Sequence, residues 1–147
     1  MKTIRLFLIF IILAGCSQKH MVMDELLKQV DIFGVNLYSD IDYTRINGVT
    51  ADEEPCLRGY ERSFDNLDIS IGYGFDKKIR RITTRNSSTT LFGIKPGMYF
   101  SEGKSKIKKA GFNELTPPFK FKAKQYSITF LVDEDDKIFG MTLETLD

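Results

Sequence analysis

Leu67-Asp68-Ile69-Ser70-Ile71-Gly72-Tyr73-Gly74-Phe75 places an apolar side chain at every second position. Successive side chains of a strand point to opposite faces, so this alternation predicts a half-buried β-strand. Gly72 and Gly74 fall on the face opposite Tyr73 and Phe75. Missing side chains there let a helix or a partner approach closely, or mark a bulge. Tyr126, Ile128, Phe130 and Val132 repeat the pattern. Both runs enter charged turns, Asp76-Lys77 and Asp133-Glu134-Asp135-Asp136, and a returning strand is expected after each, over 79–85 and 138–146. Earlier strands are expected over 57–64 and, after Pro117-Pro118, over 119–124.

The two hairpins belong to a longer match. Shifting the chain by 59 positions sets Phe33-Gly34-Val35 on Phe92-Gly93-Ile94, and Ile69-Ser70-Ile71 on Ile128-Thr129-Phe130. The same shift sets Asp76 on Asp135, Lys78-Ile79 on Lys137-Ile138 and Thr83 on Thr142. One ungapped offset serves all of these, which reads as a duplication with units at 33–85 and 92–144. In the second unit Ser101 is the expected N-cap of a helix over 102–110, with Gly111 as its stop. Phe100, Ile107 and Phe112 are expected to lie inward. In the first unit the stretch from Val49 to Pro55 is polar and acidic rather than helical. The expected fold is α+β: two tandem units, each a short helix plus a three-stranded antiparallel β-sheet, sharing one core. A single such unit buries too little to be stable alone.

The chain start has a different character. Lys2 and Arg5 precede an apolar run from Leu6 to Leu13, followed by Ala14 and Gly15. Basic, apolar and small residues in that order form a secretory signal, expected over residues 1–15. The run is well short of the roughly 20 residues that a membrane-spanning helix needs. Leu13-Ala14-Gly15-Cys16 resembles the lipobox of bacterial lipoproteins. The resemblance implies diacylglycerol on the Cys16 thiol, cleavage before Cys16 and acylation of the new amino terminus. The other reading of these residues is an ordinary signal peptide with a chance cysteine. With a lipid on Cys16, the partner is the bilayer and the location is the extracytoplasmic face of the cell membrane. Ser17 in place of aspartate would allow the outer membrane in a Gram-negative host. Residues 16–30 then form a lipid-anchored tether before a single domain over 31–147.

A second resemblance rests on Phe92-Gly93-Ile94-Lys95-Pro96-Gly97-Met98, running through Ser101-Glu102 to Ala110-Gly111-Phe112. This stretch resembles small exported lipoproteins of the SmpA/OmlA and β-lactamase-inhibitor-like type, and uncharacterised Bacillus-type lipoproteins. The resemblance implies helix-plus-sheet units and action by binding other proteins. The first half departs from it, with Leu37-Tyr38 where Pro96-Gly97 would stand.

Charge and chemistry narrow the function. Residues 16–76 hold twelve acidic and five basic side chains, and residues 77–147 hold fourteen basic and eight acidic ones. A nucleic-acid binder would carry a dominant basic surface, so nucleic acid is not an expected partner. The single histidine, His20, lies in the tether, and no catalytic residue, metal site or cofactor is assigned. Zinc needs three or four His, Cys or carboxylate ligands, which one histidine and one remaining cysteine do not supply. Asp133 to Asp136 lacks the glycine and late glutamate of a calcium loop and reads as a hairpin turn. Cys56, left without a partner once Cys16 is lipidated, is expected to be a buried apolar thiol. A reactive thiol or an intermolecular disulfide is its other reading. Tyr73, Arg80, Arg81 and Arg85 form a candidate interaction face toward an envelope protein or anionic polymer, with a solvated strand face as the plainer alternative. The expected function is a non-enzymatic binding module at the envelope, or else a small-ligand carrier with an aromatic-lined pocket.

Overall fold

Pairing follows the alternation of apolar residues. In the computed structural model, which describes residues 27–39, 51–116 and 118–146, the opening stretch forms β4 (Ile69–Gly74). Ile69, Ile71 and Tyr73 are buried on one face of it. Before it come β1 (Val30–Asp31), β2 (Asp52–Cys56) and β3 (Gly59–Phe64). After it come β5 (Ile79–Thr84), β6 (Thr90–Leu91), helix α1 (Phe100–Lys109), β7 (Asn113–Glu114), β8 (Lys120–Ala123), β9 (Tyr126–Val132) and β10 (Ile138–Thr145).

The expected pair of helix-plus-three-strand units is corrected by the sheet. Eight strands form one antiparallel sheet in the order β2-β3-β4-β5-β10-β9-β8-β7, and β1 pairs with β6 in a separate ribbon. The architecture is mainly β, with one α-helix among the described residues. The join is β5 against β10, where Thr83 faces Thr142, Ile82 faces Leu143 and Thr84 faces Met141. Two separate sheets would leave two inner edges with unpaired N–H and C=O groups, and joining them satisfies both. The residues matching α1 at the offset of 59, 41–50, lie outside the described residues, as do Cys16 and His20.

The backbone geometry of the two halves recurs at that offset. Tyr38 N–H donates to the Ile79 carbonyl at 2.8 Å, and Gly97 N–H to the Ile138 carbonyl at 2.7 Å. Ile79 N–H returns a bond to Ser39 at 3.0 Å, and Ile138 N–H to Met98 at 2.9 Å. Phe33 and Phe92 both adopt the left-handed region, at φ 50° and 54°, as do the turn residues Lys77 and Asp136, at 61° and 58°.

The inner face of the sheet carries the core. Ile71, Ile82, Phe130, Met141 and Leu143 are buried there, with Ile32 and Leu91 from the β1–β6 region. Val30, at the end of the expected tether, is buried within β1. Helix α1 packs Ile107 into this layer, and Gly103 comes so close that a Cβ would lie 2.5 Å from Ile138 Cδ1. Its N-cap is Tyr99, not the expected Ser101, and no side chain caps it. Lys106, Lys108 and Lys109 in its last turn suit the negative end of the helix dipole. Gly111, at φ 92°, supplies the expected stop.

Candidate binding groove

The glycines singled out in β4 open a groove. About 800 Å³ of space lies at one end of the sheet, between the β2–β3 turn, the end of β4, β5 and the end of β10. Gly72 is its low floor because the Arg81 side chain crosses it: an added Cβ would lie 3.3 Å from Arg81 Cβ and 3.4 Å from Nε. Arg81 thereby reaches over β4 to pair with Glu61 on β3. Ser70 Oγ donates to the other Glu61 oxygen at 2.6 Å. Gly74 sits against Asp76, whose Oδ1 would be 2.7 Å from an added Cβ.

The walls are cationic and apolar together. Leu57 in the β2–β3 turn is fully exposed, and Phe75 is 75% exposed. Arg58 beside Leu57 is exposed and, among the described residues, has no ion-pair or hydrogen-bond partner. Arg80 is engaged, at 2.7 Å from the Asp76 carboxylate and 5.2 Å from the centre of the Tyr38 ring. The Lys78 backbone N–H, with the Arg80 guanidinium, holds the Asp76 carboxyl below its usual range. For Glu144, burial pushes the carboxyl up, but bonds from Lys120 at 2.8 Å and Ser127 at 2.9 Å outweigh it and the net shift is downward. Thr145 also lines the groove, and its buried hydroxyl has no hydrogen-bond partner among the described residues.

The expected face of Tyr73, Arg80, Arg81 and Arg85 is only partly assembled. Tyr73 belongs to the inner face and is buried, stacked on Tyr60 with ring centres 5.7 Å apart. Burial, with a hydrogen bond to Glu53, pushes its hydroxyl up to about 12. Arg80 is the extra residue of a bulge, since Gly72 pairs with Arg81 while Tyr73 pairs with Ile79. The bulge brings Arg80 and Arg81, neighbours in sequence, to the same groove as Tyr73. Arg85 lies elsewhere, 6.0 Å from the Phe139 ring centre, in a second hollow of about 560 Å³ that it shares with Arg81.

Cys56 corrects another expectation. It is exposed, not buried, because it ends the fully exposed edge strand β2. The Asp133 turn is self-satisfied: its carboxylate accepts N–H bonds from Asp135 at 3.0 Å and Lys137 at 2.8 Å. No group of three or more His, Cys, Asp or Glu side chains suited to a metal occurs among the described residues. Leu57, Arg58, Phe75 and Thr145 were not singled out by sequence. Only the continuation of the alternation to Phe75, one residue past the end of the strand, signalled any of them. Comparison with protein families, with curated proteins and with solved structures finds no match to this chain.

Proposed function

We propose that the chain is a lipid-anchored extracytoplasmic lipoprotein whose folded domain is a non-enzymatic binding module for a protein or other envelope component. The anchor is Cys16 within Leu13-Ala14-Gly15-Cys16. The observation that carries the binding role is the exposure of Leu57 and Phe75 beside the groove. Large apolar side chains grouped on a surface and rimmed by charge favour a bound partner. The test of the anchor is metabolic labelling with an alkyne fatty acid followed by membrane fractionation. Label should enter the wild type and be absent from Cys16→Ala, and equal labelling of both would refute the anchor. For the module, the full chain should retain an envelope component that Leu57→Ser/Phe75→Ser loses.

A second reading is favoured by the dimensions of the groove. About 800 Å³ lies within the roughly 300–1,000 Å³ typical of small-molecule sites. On that reading the domain carries a small ligand against Tyr73 and Phe75.

A further inference from the structure

We infer that the groove takes a small amphiphile with an apolar body and a single anionic head, a carboxylate or a phosphate, with Arg58 as the recognising cation. This rests on the second reading above, that the groove holds a small ligand.

The first observation is a difference between two otherwise similar halves. On the outer face of the first half, glycine at 72 lies under a large residue at 81, and on the second half the order is reversed. Leu131 occupies the place of Gly72, and Gly140 that of Arg81, with Leu131 Cδ1 3.0 Å from where a Gly140 Cβ would sit. Asp133 stands where the first half has Gly74, and its carboxylate is consumed by its own turn. The first half thus places two glycines where the second places side chains, and the space over them is taken by the Arg81 side chain and the Asp76 carboxylate. Without side chains at 72 and 74, those groups pack low against the strand, which deepens the groove they line.

Charge then selects the head group. Arg80 is neutralised by Asp76, Arg81 by Glu61, and Glu144 by Lys120. Among the described residues Arg58 remains as a surplus positive charge at the mouth, one residue from the exposed Leu57. A guanidinium offers several N–H donors in a plane that matches a carboxylate or phosphate. Thr145 also lies on the groove wall, and its hydroxyl, buried away from solvent, has no hydrogen-bond partner among the described residues. Leu57 and Phe75 cover the apolar body, which explains why they stand exposed without it.

The test uses the full chain in lipid discs, with empty discs as the blank, titrated with octanoate, octyl phosphate and octylammonium. The readout is nuclear magnetic resonance of the arginine Nε–H groups. At least one of the two anions should shift the Arg58 signal saturably, and octylammonium should bind roughly tenfold or more weakly. The tighter anion identifies a carboxylate or a phosphate source. Arg58→Glu, in an exposed turn, should cost the anion roughly tenfold in affinity while leaving the spectrum of the core unchanged. Leu57→Ser should weaken all three probes. Equal binding of octylammonium, absence of any saturable shift, or insensitivity to Arg58→Glu would each overturn the inference. If the probes fail while an envelope component is still retained in a Leu57- and Phe75-dependent way, the anionic ligand is refuted and the binding module is not.

Discussion

Thr83 and Thr142 face each other across the two central strands with their hydroxyl oxygens 3.0 Å apart, and they are separated by 59 residues. Each occupies the same position in its own half, so the contact is a residue meeting its own counterpart. Asp31 and Thr90, also 59 apart, face each other in the β1–β6 ribbon. Neighbouring pairs obey the same rule: Ile82 faces Leu143 while their counterparts Met141 and Thr84 face one another. Both ribbons therefore lie on one approximate two-fold relation. The relation is broken at the groove, at Gly72 and Arg81 against Leu131 and Gly140.

The Thr83–Thr142 contact is expected to stabilise the join between halves. In a double-mutant cycle with Thr83→Val and Thr142→Val, the coupling should be about 0.5–1.5 kcal/mol, the usual net value of one hydrogen bond. Urea unfolding of the four proteins measures it. A coupling of zero would show that water serves each hydroxyl equally well.

Gly59→Ala should be strongly destabilising, by about 2 kcal/mol or more. Gly59 has φ 149°, and an added Cβ would lie 2.0 Å from the Tyr73 carbonyl oxygen and 2.9 Å from Gly74 Cα. These are backbone atoms of the paired strand, so a rotamer change cannot relieve the clash. The β3–β4 pairing, and with it the mouth of the groove, should loosen. Thermal unfolding checks the cost, and an unchanged midpoint would contradict it.

The elements themselves were legible because their signals are local. The alternation at Ile69, Ile71 and Tyr73 is visible within one strand, and Gly111 marks the helix end within one turn. The join of β5 to β10 was not legible. No local pattern says which two strand edges will meet, and Thr83 and Thr142 are remote in sequence. The alternation already placed Tyr73 on the apolar face, yet grouping it with Arg85 mixed residues from opposite ends of the sheet. Arg80 and Arg81 should point to opposite faces of a regular strand, and only the bulge reconciles them with one groove. At Cys56 position outweighs residue type: thiols favour the interior, but every residue of the edge strand β2 is exposed.

Cys56 gives the next prediction. Its thiol is exposed at the end of β2. It should react with a maleimide in the folded protein at a rate close to that of a small free thiol, and denaturant should add little. Mass spectrometry of the intact chain, with peptide mapping to assign the site, provides the readout. Labelling that appears only after unfolding would show the thiol to be covered.

Tyr73 gives an alkaline prediction. A tyrosine ordinarily titrates near pH 10, and burial with the Glu53 hydrogen bond pushes Tyr73 up to about 12. As pH rises, the unfolded chain therefore loses this proton before the folded one does. The stability that Tyr73 contributes is fully present below about pH 10 and should be lost progressively as pH climbs through about 12. Tyr73→Phe keeps the ring against Tyr60 but removes the titration, so its alkaline stability profile should be flatter over that window. The absorbance difference between wild type and Tyr73→Phe isolates the ionisation of this one phenol from the other tyrosines. The variant also deprives Glu53 of the donor that, ahead of Arg62, holds its carboxyl down, so Glu53 should move back toward its ordinary value. A difference titration centred near pH 10, or identical alkaline slopes for the two proteins, would show that Tyr73 is not enclosed by Tyr60 and Glu53 as described.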